Sequence, residues 1–220
     1  IDMVNRASVE VGGPENLAVA VENPTMDVSK VIFGHKDISL LVATGGPGVV
    51  TTVLSSGKRA IGAGAGNPPV LVDETANIAK AAEDIVNGCT FDNNLPCIAE
   101  KEVVAVHSIA DELIFYMKQT GCYFASDEEV DKLVATVFTE KNGKRILNRQ
   151  CVGRSAKVLL EKIGVEVGNE IRCIIFEGAK EHPLISEELM MPRLGIVRGK
   201  HVDEGIEPAV WLEHGSRHSA

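Results

Sequence analysis

The 220-residue sequence has no Cys-x-x-Cys pair, and its five cysteines are an odd number. A chain of this size does not need disulfides for its stability, so we interpret the cysteines as reduced thiols, most of them buried. The sequence also has no apolar run of membrane-spanning length and no N-terminal signal peptide. These absences argue against a secreted disulfide scaffold and a membrane protein, and they favour the cytoplasm.

Basic residues are fewer than acidic ones, 22 against 31, which gives a net charge of -9. A nucleic-acid binder needs a basic surface, so this class is excluded, although a local pocket for a nucleotide is not. His214 and His218 have the spacing of half a metal site, but no third or fourth ligand is visible. We therefore expect no metal.

Both ends of the chain lack the marks of a complete protein, because it begins at Ile1 rather than at a methionine. We therefore expect a piece of a longer protein. Hydrophobic residues make up 45% and charged residues 24%, as in ordinary soluble domains. The length allows one large domain or two small ones.

Helices and strands alternate along the chain, which predicts an α/β fold. In the first part, we predict a helix within residues 1–10, a strand at 17–21, a helix capped by Thr25 and a strand at 38–44. The last of these is nearly all apolar, as in a parallel strand buried on both faces. Later helices are predicted near residues 49–56, 77–87, 110–119, 127–137, 153–163 and 202–213, and later strands near 70–72, 102–106, 171–176 and 194–197.

A glycine-rich turn follows the strand at 38–44, with the sequence Thr44-Gly45-Gly46-Pro47-Gly48-Val49. Glycines allow close approach of the backbone to a ligand, and the N-terminus of the next helix favours an anion such as a pyrophosphate. An ordinary turn explains the residues equally well. A second glycine-rich segment, residues 62–66, leads into a strand and not into a helix, so it is no dinucleotide fingerprint. We interpret it as a close-packed crossing near a ligand, centred on Gly64.

Cys97 follows Pro96 in a polar, turn-rich stretch, Phe91-Asp92-Asn93-Asn94-Leu95-Pro96-Cys97. A thiol just before a helix gains from the helix dipole and nearby N–H groups, which favour the thiolate. The chemistry alone leaves two interpretations open: a reactive thiol, and the commoner buried, inert cysteine. Glu188 is a weaker candidate, since a carboxylate between two strands can accept hydrogen bonds from a ribose, but a solvated acidic turn looks the same.

Four stretches together resemble the aldehyde dehydrogenase superfamily, and more closely its CoA-acylating acetaldehyde and propionaldehyde dehydrogenases of ethanolamine and propanediol utilisation. They are VATGGPGVV at 42–50, AIGAGAGNPPVLVDE at 60–74, FDNNLPCIAEKE at 91–102 and EHGSRHSA at 213–220. The resemblance implies a partial Rossmann-type cofactor lobe at 1–66, an α/β catalytic lobe at 67–205 and the start of a return segment at 206–220. It also implies a full length about twice this one.

The resemblance further implies roles for individual residues. Cys97 matches the nucleophile, and Glu188 matches the glutamate that holds the nicotinamide ribose. Met190 stands where the family has an aromatic residue near the nicotinamide, and His218 is the candidate base for the CoA thiol. The turn residues that match the contacts with the cofactor pyrophosphate and adenine are Thr44, Gly45, Gly46 and Val49, with Gly64 added from the glycine-rich crossing.

Ala63 indicates which molecule accepts the acyl group. It stands where hydrolytic relatives carry the glutamate that activates water, and alanine offers no base. The implied reaction therefore converts a short-chain aldehyde, NAD and coenzyme A to acyl-CoA. NADP, the aldehyde chain length, the order of the homo-oligomer and enclosure in a bacterial microcompartment stay open.

Two other interpretations stay open for the chain as a whole. It is also similar to the aldehyde dehydrogenase half of a bifunctional aldehyde-alcohol dehydrogenase, and as a piece of a protein it can be inactive by itself. The FDNNLPC stretch disfavours a γ-glutamyl phosphate reductase.

Overall fold

A computed structural model describes residues 1–141 and 143–216, with the side chains of Pro47 and of residues 214–216 excepted. The chain separates into two compact units, Ile1–Gly62 and Ala63–Ala220, each considered by itself below. The predicted lobe boundary at 66/67 lies a few residues after this division.

The first unit contains three helices and one pair of strands. Thr25 caps the second helix as predicted, since its side chain accepts a hydrogen bond from the Val28 N–H. The elements are α1 (Asp2–Glu10), α2 (Met26–Gly34), β1 (Leu40–Thr44), α3 (Pro47–Leu54) and β2 (Arg59–Ala63).

Two predictions for the first unit are wrong. Residues 17–21 form no strand, and Leu17 and Val19 are exposed, because no described strand pairs with them. The strand after α2 is present as β1, but Leu41 is its one buried residue, since β1 pairs only with β2 among the described strands. Strand β2 was not anticipated.

The second unit is a parallel five-stranded sheet with helices on both faces, which confirms the α/β fold class. Its strand order is β3-β4-β9-β8-β5, and β6 and β7 form a separate antiparallel hairpin. The strands are β3 (Pro69–Val72), β4 (Glu102–Val106), β5 (Cys122–Phe124), β6 (Phe138–Lys141), β7 (Lys144–Leu147), β8 (Cys173–Glu177) and β9 (Arg193–Gly199). The helices are α4 (Ile78–Thr90), α5 (His107–Gln119), α6 (Asp127–Val137), α7 (Ala156–Lys162), α8 (Pro183–Ser186) and α9 (Val202–Ser216), with a 3-10 turn at Phe91–Asn94.

Strand β4 lies near the middle of this sheet, and all five of its residues are buried. One apolar cluster packs α4 and α5 on one face, and a second packs α6, α7 and part of α9 on the other. The loop that precedes β4 therefore ends in a fully buried strand. None of the described helices combines the length and the apolar character needed to span a membrane.

Candidate active site

The loop that carries Cys97 joins helix α4 to strand β4. Helix α4 begins after Asn77, whose side chain accepts a hydrogen bond from the Lys80 N–H. Its amphipathic sequence buries one face against the sheet through Ile78, Ala82, Ile85, Val86 and Cys89. The start of the loop is thus fixed by packing.

The chain leaves α4 through three consecutive residues in the left-handed region, Asp92, Asn93 and Asn94, with φ angles of 46°, 50° and 63°. Asparagine and aspartate adopt this conformation more readily than other non-glycine residues. The Asp-Asn-Asn run is therefore the local sequence signal for this turn.

Two asparagine side chains connect the loop to its surroundings. The buried Asn94 donates through Nδ2 to the carbonyl oxygens of Cys89 and Glu100, both at 2.9 Å. Asn93 donates through Nδ2 to the carbonyl oxygen of Gly153 at 3.1 Å. These bonds join the end of α4 at Cys89, the end of the loop at Glu100 and the distant segment at Gly153.

Cys97 itself lies in a turn closed by a 3.1 Å hydrogen bond from the Ala99 N–H to the Pro96 carbonyl. The segment after Cys97 is not helical, because β4 begins at Glu102 and leaves too few residues for a helix. The segment that follows Cys97 therefore supplies no helix dipole to this thiol.

Cys97 is the partly exposed member of the five cysteines, and the other four are buried. Burial and thiol neighbours raise the pKa of Cys173 well above its ordinary value, and burial also raises the pKa of Cys151. Within the described residues, the Cys97 N–H has no hydrogen-bond acceptor. This position thus presents an accessible thiol beside a free backbone donor.

Three charged side chains are buried beneath this loop. Lys101 donates through Nζ to the Asn94 carbonyl at 3.1 Å, to Asn94 Oδ1 at 2.5 Å and to the Pro96 carbonyl at 3.0 Å. Arg193 donates to Glu102 Oε1 at 2.6 Å, to the Lys101 carbonyl at 2.8 Å and to the Glu187 carbonyl at 2.9 Å. Arg193 therefore ties strand β9 to the loop and to the segment that carries Glu188.

Burial opposes the charged form at two of these groups. It lowers the pKa of Lys101, while the neighbouring charge of Glu188 acts in the opposite direction. It also raises the pKa of Glu102 from 4.5 to about 8, although the close Arg193 guanidinium opposes this shift. The 2.6 Å contact with Arg193 satisfies Oε1, whereas the buried Oε2 has no hydrogen-bond partner among the described residues, so burial outweighs the guanidinium.

We expect the raised pKa of Glu102 to make stability fall as the pH rises. Between pH 4.5 and about 8, the folded protein keeps a proton that the unfolded chain has released. The free energy of unfolding should therefore decrease by up to roughly 1.4 kcal/mol per pH unit in this window. Urea unfolding of the wild type and Glu102→Gln at several pH values measures the difference, and parallel profiles would contradict it.

The segment with Glu188 and Met190 joins the same region through Gly153. The Gly153 N–H donates to the Met190 carbonyl at 2.9 Å, while the Gly153 carbonyl accepts from Asn93. Gly153 has a φ of 67°, and a Cβ atom there would meet the Leu95 side chain at 3.2 Å. Glu188 is partly exposed, and Met190 adopts a φ of 49°. The second unit thus brings Cys97, Glu188 and Met190 into one connected set of loops.

The candidate cofactor residues of the first unit lie at the turn between β1 and α3. Thr44 ends β1, Gly46 caps α3 and Val49 lies in its first turn, so the predicted strand-turn-helix is confirmed. A Cβ atom on Gly45 or Gly46 would meet nothing within 4 Å, which leaves open space over the turn. Gly64 lies in the second unit, partly buried in the irregular segment between β2 and β3.

Other residues of the site had not been singled out in the sequence. No sequence signal marks Lys101 or Arg193, while Glu102 begins a predicted strand and Gly153 begins a predicted helix. His218 lies outside the described residues. Among those described, no group of three or more His, Cys, Asp or Glu side chains is arranged to hold a metal.

The model of the aldehyde dehydrogenase family matches residues 2–215. The chain belongs to this family. Its curated relatives include propanal dehydrogenase (CoA-propanoylating) of Citrobacter freundii, 41% identical over all of this chain and 47% of that protein. Acetaldehyde dehydrogenase (acetylating) EutE of Escherichia coli is 43% identical, over all of this chain and 48% of that protein. The chain spans about half the length of these relatives.

Solved aldehyde dehydrogenase structures agree with this relationship. A propionaldehyde dehydrogenase from the fucose utilisation microcompartment of Clostridium phytofermentans is 65% identical with a TM-score of 0.92, covering 100% of this chain and 50% of that one. The Rhodopseudomonas palustris propionaldehyde dehydrogenase, solved with bound CoA and an acylated cysteine, is 52% identical with a TM-score of 0.87, covering 96% and 48%. The aldehyde dehydrogenase-like fold is thereby confirmed.

Proposed function

We propose that the protein containing this chain is a CoA-acylating aldehyde dehydrogenase, which converts a short-chain aldehyde, NAD+ and CoA to acyl-CoA and NADH. The observation that carries the proposal is Cys97, the partly exposed thiol of the chain, which lies on an anchored loop beside its own free N–H. The names of the relatives at 41% and 43% identity supply the aldehyde and CoA.

Cys97 acts as the nucleophile in this reaction. Its thiolate attacks the aldehyde carbon, the S–C bond forms as the C=O π bond breaks, and the oxygen keeps the electron pair. The Cys97 N–H stabilises this oxyanion, and an asparagine side chain from outside the present chain is expected to assist. Loss of hydride from the same carbon leaves a thioester on Cys97, and the CoA thiolate then displaces the cysteine.

Each unit, taken by itself, contains residues that suit one part of a nicotinamide dinucleotide. The turn at Thr44, Gly45, Gly46 and Val49 is open, and the N-terminus of α3 has no side-chain cap, so its backbone favours a pyrophosphate. Glu188 would hold the nicotinamide ribose and Met190 would lie near the ring. When bound, NAD+ supplies the nicotinamide ring that accepts the hydride. NADP+ stays an alternative, since an engineered relative that is 51% identical was solved with it.

CoA rather than water accepts the acyl group because Ala63, at the end of β2, provides no base at the position of the hydrolytic glutamate. His218 is proposed as the base for the CoA thiol. We expect His218→Ala to lower CoA-dependent turnover of the full-length protein; unchanged turnover would reject this role.

The proposal is tested by assaying the full-length protein with acetaldehyde and propionaldehyde, with and without CoA. We expect sustained NADH production that needs CoA and yields acyl-CoA. Equal turnover without CoA, with release of the free acid, would instead identify a hydrolytic enzyme.

The location and the assembly of the enzyme are also proposals. The Clostridium phytofermentans relative comes from a bacterial microcompartment, so we propose a cytoplasmic homo-oligomer that can be enclosed in one. A bifunctional alternative rests on the aldehyde-alcohol dehydrogenase AdhE of Escherichia coli, 36% identical over 94% of this chain and 23% of that protein. An alcohol dehydrogenase domain in the remainder of the full-length protein would establish it.

A further inference from the structure

We propose that Lys101 is a positioning residue for the oxyanion formed at Cys97: its buried ammonium group holds and polarises the Pro96–Cys97 peptide, so that the Cys97 N–H binds that oxyanion more strongly. The inference rests on the proposed function and deepens it. Lys101 is 1% exposed, which is unusual for a lysine and costly unless its charge is compensated.

The hydrogen bonds of Lys101 explain how it acts. An ammonium group has three donors, and Nζ donates to three oxygens, two on Asn94 and one on Pro96. The Pro96 carbonyl belongs to the same peptide group as the Cys97 N–H, and it also accepts from the Ala99 N–H. A cation bound to a carbonyl draws electron density through the amide and makes its N–H a stronger donor.

The same bonds fix the position of this peptide. Asn94 is held between Cys89 and Glu100, and Lys101 spans from Asn94 to Pro96, so the lysine bridges both sides of the turn before Cys97. The backbone N–H of Lys101 in turn donates to the Pro68 carbonyl at 3.0 Å, next to strand β3. Lys101 therefore holds the Cys97 peptide through its side chain while its own backbone is bonded beside the start of strand β3.

The protonation of Lys101 depends on its burial and on four neighbouring ionisable groups. Burial and the Arg193 guanidinium lower its pKa, whereas Glu188, Cys89 and Cys97 raise it. Glu188 is the largest of the favourable influences, so the residue proposed for the ribose also helps to keep the lysine charged.

The test compares two reactions of Cys97 in the full-length protein, neither of which needs NAD+ or CoA. A trifluoromethyl ketone, 1,1,1-trifluoro-2-butanone, forms a thiohemiketal whose oxygen carries the electron pair, and 19F nuclear magnetic resonance gives its dissociation constant. Iodoacetamide alkylates the thiol without forming an oxyanion on the attacked carbon. In Lys101→Met, we expect ketone affinity to fall about tenfold while the alkylation rate stays within about threefold of wild type.

Lys101→Gln keeps a neutral N–H donor and should give an intermediate loss of ketone affinity of about threefold. If Lys101→Met does not fold, ketone affinity and alkylation rate are compared in Lys101→Gln instead. Lys80→Met, which removes an exposed lysine paired with Asp84, is the matched control and should change neither reaction.

Unchanged ketone affinity in the foldable variants would overturn the proposal. Equal losses in ketone affinity and alkylation would also overturn it, because they would indicate a collapsed loop rather than a weaker donor. Failure of the proposed function would appear separately, as a wild-type protein that makes no NADH from aldehydes and CoA.

Discussion

Cys97→Ala in the full-length protein should lower aldehyde-dependent NADH production by at least about 10⁴-fold, because hydride leaves from the thiohemiacetal that Cys97 is proposed to form. The loss should appear with acetaldehyde and propionaldehyde alike, with CoA present or absent. Binding of NADH, measured by calorimetry, should be nearly unchanged, since alanine removes one sulfur atom from a partly exposed position.

Cys122→Ala is the matched control for this variant. It also removes a thiol, but from a buried position in strand β5. Its main expected effect is a loss of stability of roughly 1 kcal/mol from the vacated core space, with activity per folded molecule retained. A Cys97→Ala enzyme that kept more than about a hundredth of the wild-type rate would exclude Cys97 as the nucleophile.

Ala63→Glu should convert part of the acyl transfer into hydrolysis. A carboxylate at this position supplies the base that takes a proton from water, so acid release in the absence of CoA should rise about 10²-fold. With CoA present, acyl-CoA yield should fall as water competes for the thioester. Quantifying free acid and acyl-CoA in the same reaction by chromatography measures this partition.

Ala63→Gln is the control that separates the effect of a base on acid release from the effect of a larger side chain. Glutamine has nearly the shape of glutamate but takes up no proton, so its acid release should stay at the wild-type level. Equal acid release by the Glu and Gln variants would reject the argument from Ala63 and leave CoA preference to other parts of the protein.

Local sequence signals predicted most of the helices and strands. Thr25 is a cap because its hydroxyl accepts a hydrogen bond from the N–H three residues later in the chain. A cap of this kind depends only on residues that are close together in the sequence. The strand expected at residues 17–21 failed because a strand also needs a partner, and an apolar run alone does not provide one.

The hydrogen bonds that hold the Cys97 loop could not be predicted in the same way, because they join residues far apart in the chain. Arg193 reaches the Lys101 carbonyl across 92 residues, and Asn93 reaches Gly153 across 60. A lysine or arginine in a sequence is normally assigned to the surface, since burial of its charge depends on acceptors that only the fold assembles. The resemblance to a family predicted Cys97 as the nucleophile, whereas the hydrogen bonds of Lys101 beneath its loop required the structure.

A covalent acyl group on Cys97 is the central intermediate of the proposed reaction. The full-length protein is incubated with propionaldehyde and NAD+ without CoA, and the peptide that contains Cys97 is then examined by mass spectrometry. We expect a propionyl group on Cys97 that disappears on addition of CoA, with formation of an equal amount of propionyl-CoA. NADH formation without any acyl group on Cys97, or an acyl group on another residue, would contradict the account.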